Sequence, residues 1–212
     1  EPQGHVEAGA DRGPDDRGIW IDESAGVVLA HARLSILAPS PLGHQPMQSA
    51  HGRYVVTYNG EVYNFRALRA DLVDRGYTFQ SESDTETIAA AIEAWGLPAA
   101  LTRFNGMFAI GAWDRREQQL ILARDRMGIK PLYYGWGADG SFLFGSELKA
   151  LRACPAFDSA LCLPAVAQFL RHNYVPAPRS IYEQAYKLPP GCTLTVRREE
   201  LRDRTATPLD RK

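Results

Sequence analysis

Tyr54, Val56 and Tyr58 interleave with Val55 and Thr57, a period of two that predicts a strand. Asn59-Gly60 follows directly. That pair between alternating apolar residues is the strongest short hairpin signal, so a sharp turn is expected there. Ile19-Trp20-Ile21 and residues 27–30 read as two shorter strands, joined by a hairpin over residues 22–26. The period then changes to that of a helix. Leu68 and Leu72 share one face of a helix over residues 65–75, with Asn64 as its cap and Gly76 as its stop. Ser83-Asp84-Thr85-Glu86 has the spacing of a capping box, and Ile88, Ile92 and Trp95 form a core stripe before Gly96 ends the helix. From Gly106 onward residues 107–113, 120–124, 132–135 and 142–145 read as strands of an antiparallel meander. A short helix over residues 146–152, another marked by Pro164, Val166, Phe169 and Leu170, and a last strand over residues 193–196 complete the pattern. Amphipathic helices beside antiparallel strands predict an α+β domain.

The 212 residues are enough for one domain with a substantial core, expected over residues 12–197. Residues 1–11 have no apolar period and are expected to be irregular. Residues 198–212, charged and containing Pro208, are expected to form a disordered tail. The 24 basic and 25 acidic residues are spread through the chain and leave a net charge of -1, which gives no footprint for nucleic acid or an anionic membrane. Apolar runs are too short to span a bilayer, and no basic-then-apolar leader opens the sequence, so a cytoplasmic location is expected. Cys154, Cys162 and Cys192 are odd in number and lack metal-ligand spacing; they read as small buried hydrophobes. No metal is expected.

Three positions carry a chemical reading beside a structural one. Asn59-Gly60 is either a turn or an oxyanion hole, because a side-chain amide next to a glycine N–H offers two donors to one oxygen. Arg33 is either a solvated arginine or a fork for a carboxylate. Asp84, in the first turn of a helix, complements its N-terminus, and its chemical reading comes only with the resemblance below. The loop from Arg124 to Pro131 holds basic residues and a glycine but lacks the spacing of a phosphate-binding loop, so it reads as scaffold facing a partner domain.

Several longer motifs narrow these choices: Arg12-Gly13-Pro14-Asp15-Asp16, His31-Ala32-Arg33-Leu34-Ser35-Ile36, Asn59-Gly60-Glu61-Val62-Tyr63-Asn64-Phe65 and Ser83-Asp84-Thr85-Glu86. Further along stand Asn105-Gly106-Met107-Phe108-Ala109, Arg124-Asp125-Arg126-Met127-Gly128-Ile129-Lys130-Pro131-Leu132-Tyr133-Tyr134, Ser146-Glu147-Leu148-Lys149-Ala150-Leu151 and Lys187-Leu188-Pro189-Pro190-Gly191. With these the chain resembles the type II, N-terminal-nucleophile glutamine amidotransferases, and most closely the glutaminase domain of glutamine-hydrolysing asparagine synthases.

The resemblance implies a four-layer αββα sandwich, here missing its first strand and helix. It implies L-glutamine as substrate, Asn59 and Gly60 as the oxyanion hole, and Arg33, Leu34, Ile36, Glu61 and Asp84 as substrate-binding residues. In that family an N-terminal Cys attacks and its own α-amine is the base. No Cys precedes Arg12, so the nucleophile is absent here and the chain is expected to be inactive alone. No cofactor is expected in this domain; ATP and Mg belong to a synthetase domain or subunit that would amidate aspartate, and a homodimer is a further expectation. Two alternatives stand beside this one: a glutamine-binding or scaffold module without catalysis, and a type II amidotransferase serving another acceptor, such as a phosphoribosyl group.

Overall fold

The structure, a computed structural model, describes residue 13, residues 15–34 and residues 41–201. The expected irregular start, Ile36 and the tail beyond Leu201 lie outside them.

The alternating run around Asn59 builds β4 (Tyr54–Val62), which passes straight through Asn59-Gly60 without turning. The hairpin expectation is thus corrected, and the reason is pairing. β5 (Gly106–Asp114) lies antiparallel along the whole of β4, from Tyr54 opposite Asp114 to Val62 opposite Gly106, and this outweighs the local turn preference. Gly60 is required by the approach of that neighbour: a Cβ on it would lie 2.2 Å from the Met107 carbonyl oxygen and 2.7 Å from Phe108 Cα.

Around this pair forms a five-stranded antiparallel sheet of order β10-β6-β5-β4-β3, with β3 (Met47–Gln48), β6 (Gln119–Arg124) and β10 (Thr193–Arg197). The hairpin of β1 (Asp16–Asp22) and β2 (Val27–Arg33) is as expected. The meander is not. β7 (Tyr133–Trp136) and β8 (Phe142–Gly145) leave the β5-β6 sheet and join the short β9 (Ala185–Lys187) in a second sheet, order β8-β7-β9. The loop before β7 redirects the chain. Asp125, 1% exposed, accepts N–H groups from Met127, Ile129 and Lys130, while the Arg124 guanidinium donates to the carbonyls of Gly128, Lys130 and Leu188. Asp125 also takes the Phe108 N–H, which fastens the loop to β5.

Helices cover the outer faces. α1 (Phe65–Val73), α2 (Asp84–Trp95) and α3 (Leu97–Arg103) pack on the five-stranded sheet through a core that includes Tyr58, Val62, Leu72, Ile88, Ile92 and Phe108. Each such large apolar side chain contributes about 1.5–3 kcal/mol on burial. The faces between sheets bury Ala109, Leu122, Tyr134 and Leu194 on one side and Leu29, Val55 and Trp113 on the other. α4 (Leu148–Arg152) covers the three-stranded sheet with Leu151 against Ala185 and Phe157, and α5 (Leu163–His172) follows it. The order helix, sheet, sheet, helix is the expected sandwich.

Local details differ. Asn64 precedes α1 but makes no side-chain cap bond; its amide donates to the Arg103 carbonyl and its carbonyl accepts from the Asn105 N–H, tying α1 to the entry of β5. Ser83 accepts from the Thr85 N–H at 3.1 Å, while Glu86 reaches back past Ser83 to the N–H groups of Gln80 and Ser81. α3 was not anticipated: Gly96, at φ 76°, both ends α2 and opens α3, whose first turn holds Pro98. The start of the expected disordered tail forms a 3₁₀ turn, Arg198–Leu201. Among the described residues no helix is long and apolar enough to cross a membrane.

Candidate functional site

The site is built on the last residues of β4, where its neighbour on the outer edge has already ended. β3 pairs only with Val55 and Val56, so beyond Val56 every second N–H of β4 points past the sheet edge. Two of these are met by side chains. The Tyr58 N–H donates to Gln45 Oε1 at 2.7 Å, and the Val62 N–H donates to Asp84 Oδ2 at 3.2 Å. Gly60 lies between them on the same edge, and its N–H has no hydrogen-bond partner among the described residues. The other side of β4 cannot take it, because the facing Phe108 N–H and C=O are engaged with Asp125.

Beside this donor stands the Asn59 amide. Asn59 shares the inter-sheet face of β4 with Val55, Thr57 and Glu61, by strand alternation. Its Nδ2 donates to Ser146 Oγ at 3.0 Å, a residue directly after β8. In the sequence Ser146 stands within a motif without a signal of its own. Its 87-residue separation from Asn59 left no periodic signal that could pair the two.

β2 runs over the same face. Leu29 packs with Val55, and His31 Nδ1 lies 3.2 Å from Thr57 Oγ1. Arg33 follows His31 by two residues and so shares its face of β2. Arg33 is 8% exposed, and its guanidinium lies over Gly43: a Cβ there would be 2.1 Å from Nη2 and 2.6 Å from Cζ. Leu34 is 57% exposed beside it. His31 is held neutral, since burial first and then the nearby Arg33 charge carry its pKa down to about 4.

Asp84, the first residue of α2, is placed differently from the other candidates. It is 5% exposed on the helix side of β4, and the same Oδ2 that takes the Val62 N–H accepts from Tyr58 Oη at 2.8 Å. Burial raises its pKa against those hydrogen bonds, and burial followed by the Asp84 charge raises that of Tyr58. The structure thus groups Asn59, Gly60 and Glu61 at one end of β4, sets Arg33 at the end of β2 over Gly43, and ties Asp84 to the far face of β4. Gln45 bridges the two elements, its Nε2 donating to Thr85 Oγ1 at 3.4 Å.

The three cysteines stand elsewhere. Cys154 packs with Leu151 and Phe157, Cys192 with Leu188 and Leu194, and Cys162 precedes α5. No group of three His, Cys, Asp or Glu side chains among the described residues has the arrangement of a metal site. What remains is a cationic fork and paired neutral donors with a carboxylate nearby, suited to a zwitterion carrying a polarisable carbonyl.

Comparison with known proteins places the chain in a family. Residues 3–206 match a family described as "Glutamine amidotransferase domain". The chain is 37% identical over 186 residues to asparagine synthetase [glutamine-hydrolyzing] 1 of Bacillus subtilis, a match that spans 88% of this chain and 28% of that protein. It is 45% identical over 140 residues to asparagine synthetase [glutamine-hydrolyzing] 2 of Oryza sativa subsp. japonica, spanning 66% of this chain and 23% of that one. Among solved structures, glutamine phosphoribosylpyrophosphate amidotransferase from B. subtilis, complexed with ADP and GMP, superposes with a TM-score of 0.57. That match has 22% identity and covers 81% of this chain and 33% of the other.

Proposed function

The chain belongs to the glutamine amidotransferase domain family, and from that premise we propose that the end of β4 takes L-glutamine and serves its hydrolysis to glutamate and ammonia. One observation carries this reading. Gly60 has an N–H on the edge of β4 with no partner among the described residues, next to the side-chain amide of Asn59, while the N–H groups on either side of it along that edge are satisfied. Attack on a carboxamide makes its oxygen negative, and two neutral donors fixed in advance favour that state over the planar substrate. Arg33 would hold the α-carboxylate and Glu61 the α-ammonium, with Leu34 beside them, while Asp84, tied to Tyr58 and the Val62 N–H on the other face of β4, would steady that end of the strand.

Hydrolysis also needs a nucleophile. The first cysteine of the sequence is Cys154; Cys154 and Cys192 lie against hydrophobic clusters and Cys162 precedes α5, so the attack is assigned to none of the three. In the resembled family that attack is made by an N-terminal Cys with its own α-amine as base. The 212-residue chain by itself is expected not to hydrolyse glutamine.

The chain spans less than a third of the curated relatives it matches. Their printed names, asparagine synthetases that hydrolyse glutamine, support a further step in which the nitrogen goes into asparagine on a synthetase domain, and the resemblance adds aspartate as acceptor with ATP and Mg.

Two measurements test the assignment. The N-terminal sequence of the protein from its native source either begins with Cys, as hydrolysis requires, or does not. In the intact protein Asn59→Ala is expected to lower kcat for glutamate release by about 10²–10³-fold. An unchanged rate would remove Asn59 from the oxyanion hole.

A further inference from the structure

An oxyanion donor works only if its N–H is aimed before the charge develops, and an asparagine amide is free to rotate about two bonds. Asn59 needs something to hold it. The one side-chain partner its amide has among the described residues is Ser146, at 3.0 Å. We propose that Ser146 is the positioning residue of the oxyanion hole: it accepts one Nδ2–H of Asn59 and thereby directs the second Nδ2–H to the side of the Gly60 N–H. The inference rests on the glutamine reading of the same pocket and adds to it a residue that acts only through Asn59.

Ser146 is itself held from two sides. Phe144, two residues earlier on β8, lies over Gly111, where a Cβ would be 2.6 Å from Cε2 of the ring. Gly111 faces Thr57 across the β4-β5 ladder, and a Cβ on it would also meet the Thr57 methyl at 3.1 Å. Phe144 therefore docks at the level of Thr57, and two residues further on each strand Ser146 meets Asn59. After Ser146, the chain enters α4, whose Leu151 is fixed in its own core. The hydroxyl makes no other hydrogen bond among the described residues, so accepting from Asn59 meets no competition there.

Two measurements decide it. By NMR on this chain, the Asn59 side-chain amide, assigned by its loss in Asn59→Ala, is expected to show one exchange-protected proton. That protection disappears in Ser146→Ala and returns in Ser146→Thr, which keeps the hydroxyl. In the intact protein, Ser146→Ala should lower kcat for glutamine hydrolysis roughly ten- to a hundredfold with KM little changed, and Ser146→Thr should recover most of it. An Asn59 amide indifferent to Ser146→Ala overturns the proposal. So does a Ser146→Ala enzyme whose loss appears in KM alone. If the unsubstituted intact protein fails to hydrolyse glutamine, it is the amidotransferase reading that falls, and the NMR comparison still decides whether Ser146 aims Asn59.

Discussion

Arg33 is placed by what is missing opposite it. A buried guanidinium needs room as well as partners, and Gly43 gives that room by having no side chain where Nη2 and Cζ lie. The far end of a long side chain can move, so a methyl group at this position costs the fold little and displaces the fork. Gly43→Ala is accordingly expected to leave the thermal midpoint almost unchanged while weakening glutamine binding about tenfold, a loss of roughly 1.4 kcal/mol. Calorimetric titration alongside a thermal melt checks both halves. A fall in midpoint with unaltered binding would mean that Gly43 serves packing and that the Arg33 fork does not hold substrate. The chemistry of Arg33, Asn59 and Glu61 was legible in the sequence through the motifs that contain them. The Gly60 N–H, without a partner among the described residues, was not, because its isolation depends on Gln45 and Asp84 taking its neighbours, and neither contact leaves a trace in local pattern.

The elements were most legible where their causes are local. α2 starts where Ser83 offers its hydroxyl to the Thr85 N–H, and it ends where Gly96 takes a positive φ, both readable from residue type. The cap matters beyond the helix, since the residue after Ser83 is Asp84, whose carboxylate anchors the edge of β4. Ser83→Ala should therefore cost about 1 kcal/mol and lower the midpoint by roughly 2–4 °C. Ser83→Asp, which keeps an acceptor at the cap, should restore most of that. Thermal unfolding of the two variants distinguishes a capping role from a packing role, because Asp would be the worse replacement for a residue that merely fills space. Elements set by distant pairing were read less well. β4 was expected to turn at its most turn-like dipeptide, β7 and β8 were expected beside β6, and the three residues of β9 were too few to carry a pattern. In each case a partner far along the chain decided the outcome: β5 for β4, and the buried Asp125 loop for β7.

At the scale of the whole molecule, the space between β2 and β4 joins the two layers and holds a titratable group that the fold keeps uncharged. His31 bridges the layers through Thr57, and its pKa lies at about 4, against an ordinary value of 6.5, because burial, and then the charge of Arg33, disfavour its protonated form. Asp16 opposes this shift and His44 adds to it. The sign follows from proton counting. Above pH 6.5 His31 is neutral whether the chain is folded or not and contributes no pH dependence. As the pH falls from 6.5 towards 4 the unfolded chain takes up a proton that the folded chain refuses, so stability declines, by at most about 3 kcal/mol. Asp125 acts in a lower window. Burial alone would raise its pKa, but the N–H groups of Lys130, Ile129, Phe108 and Met127 carry it below the ordinary 3.8, so its contribution is full above that value and is lost only as the pH drops through the folded value. Two separate declines are expected on acidification, and they belong to different parts of the sandwich. His31→Gln, which cannot be protonated in this range, should flatten the first while leaving the second in place. Urea unfolding of both proteins between pH 7 and pH 4 measures the first directly, and equal slopes in that window would show that His31 does not set the acid sensitivity of the interface between the layers.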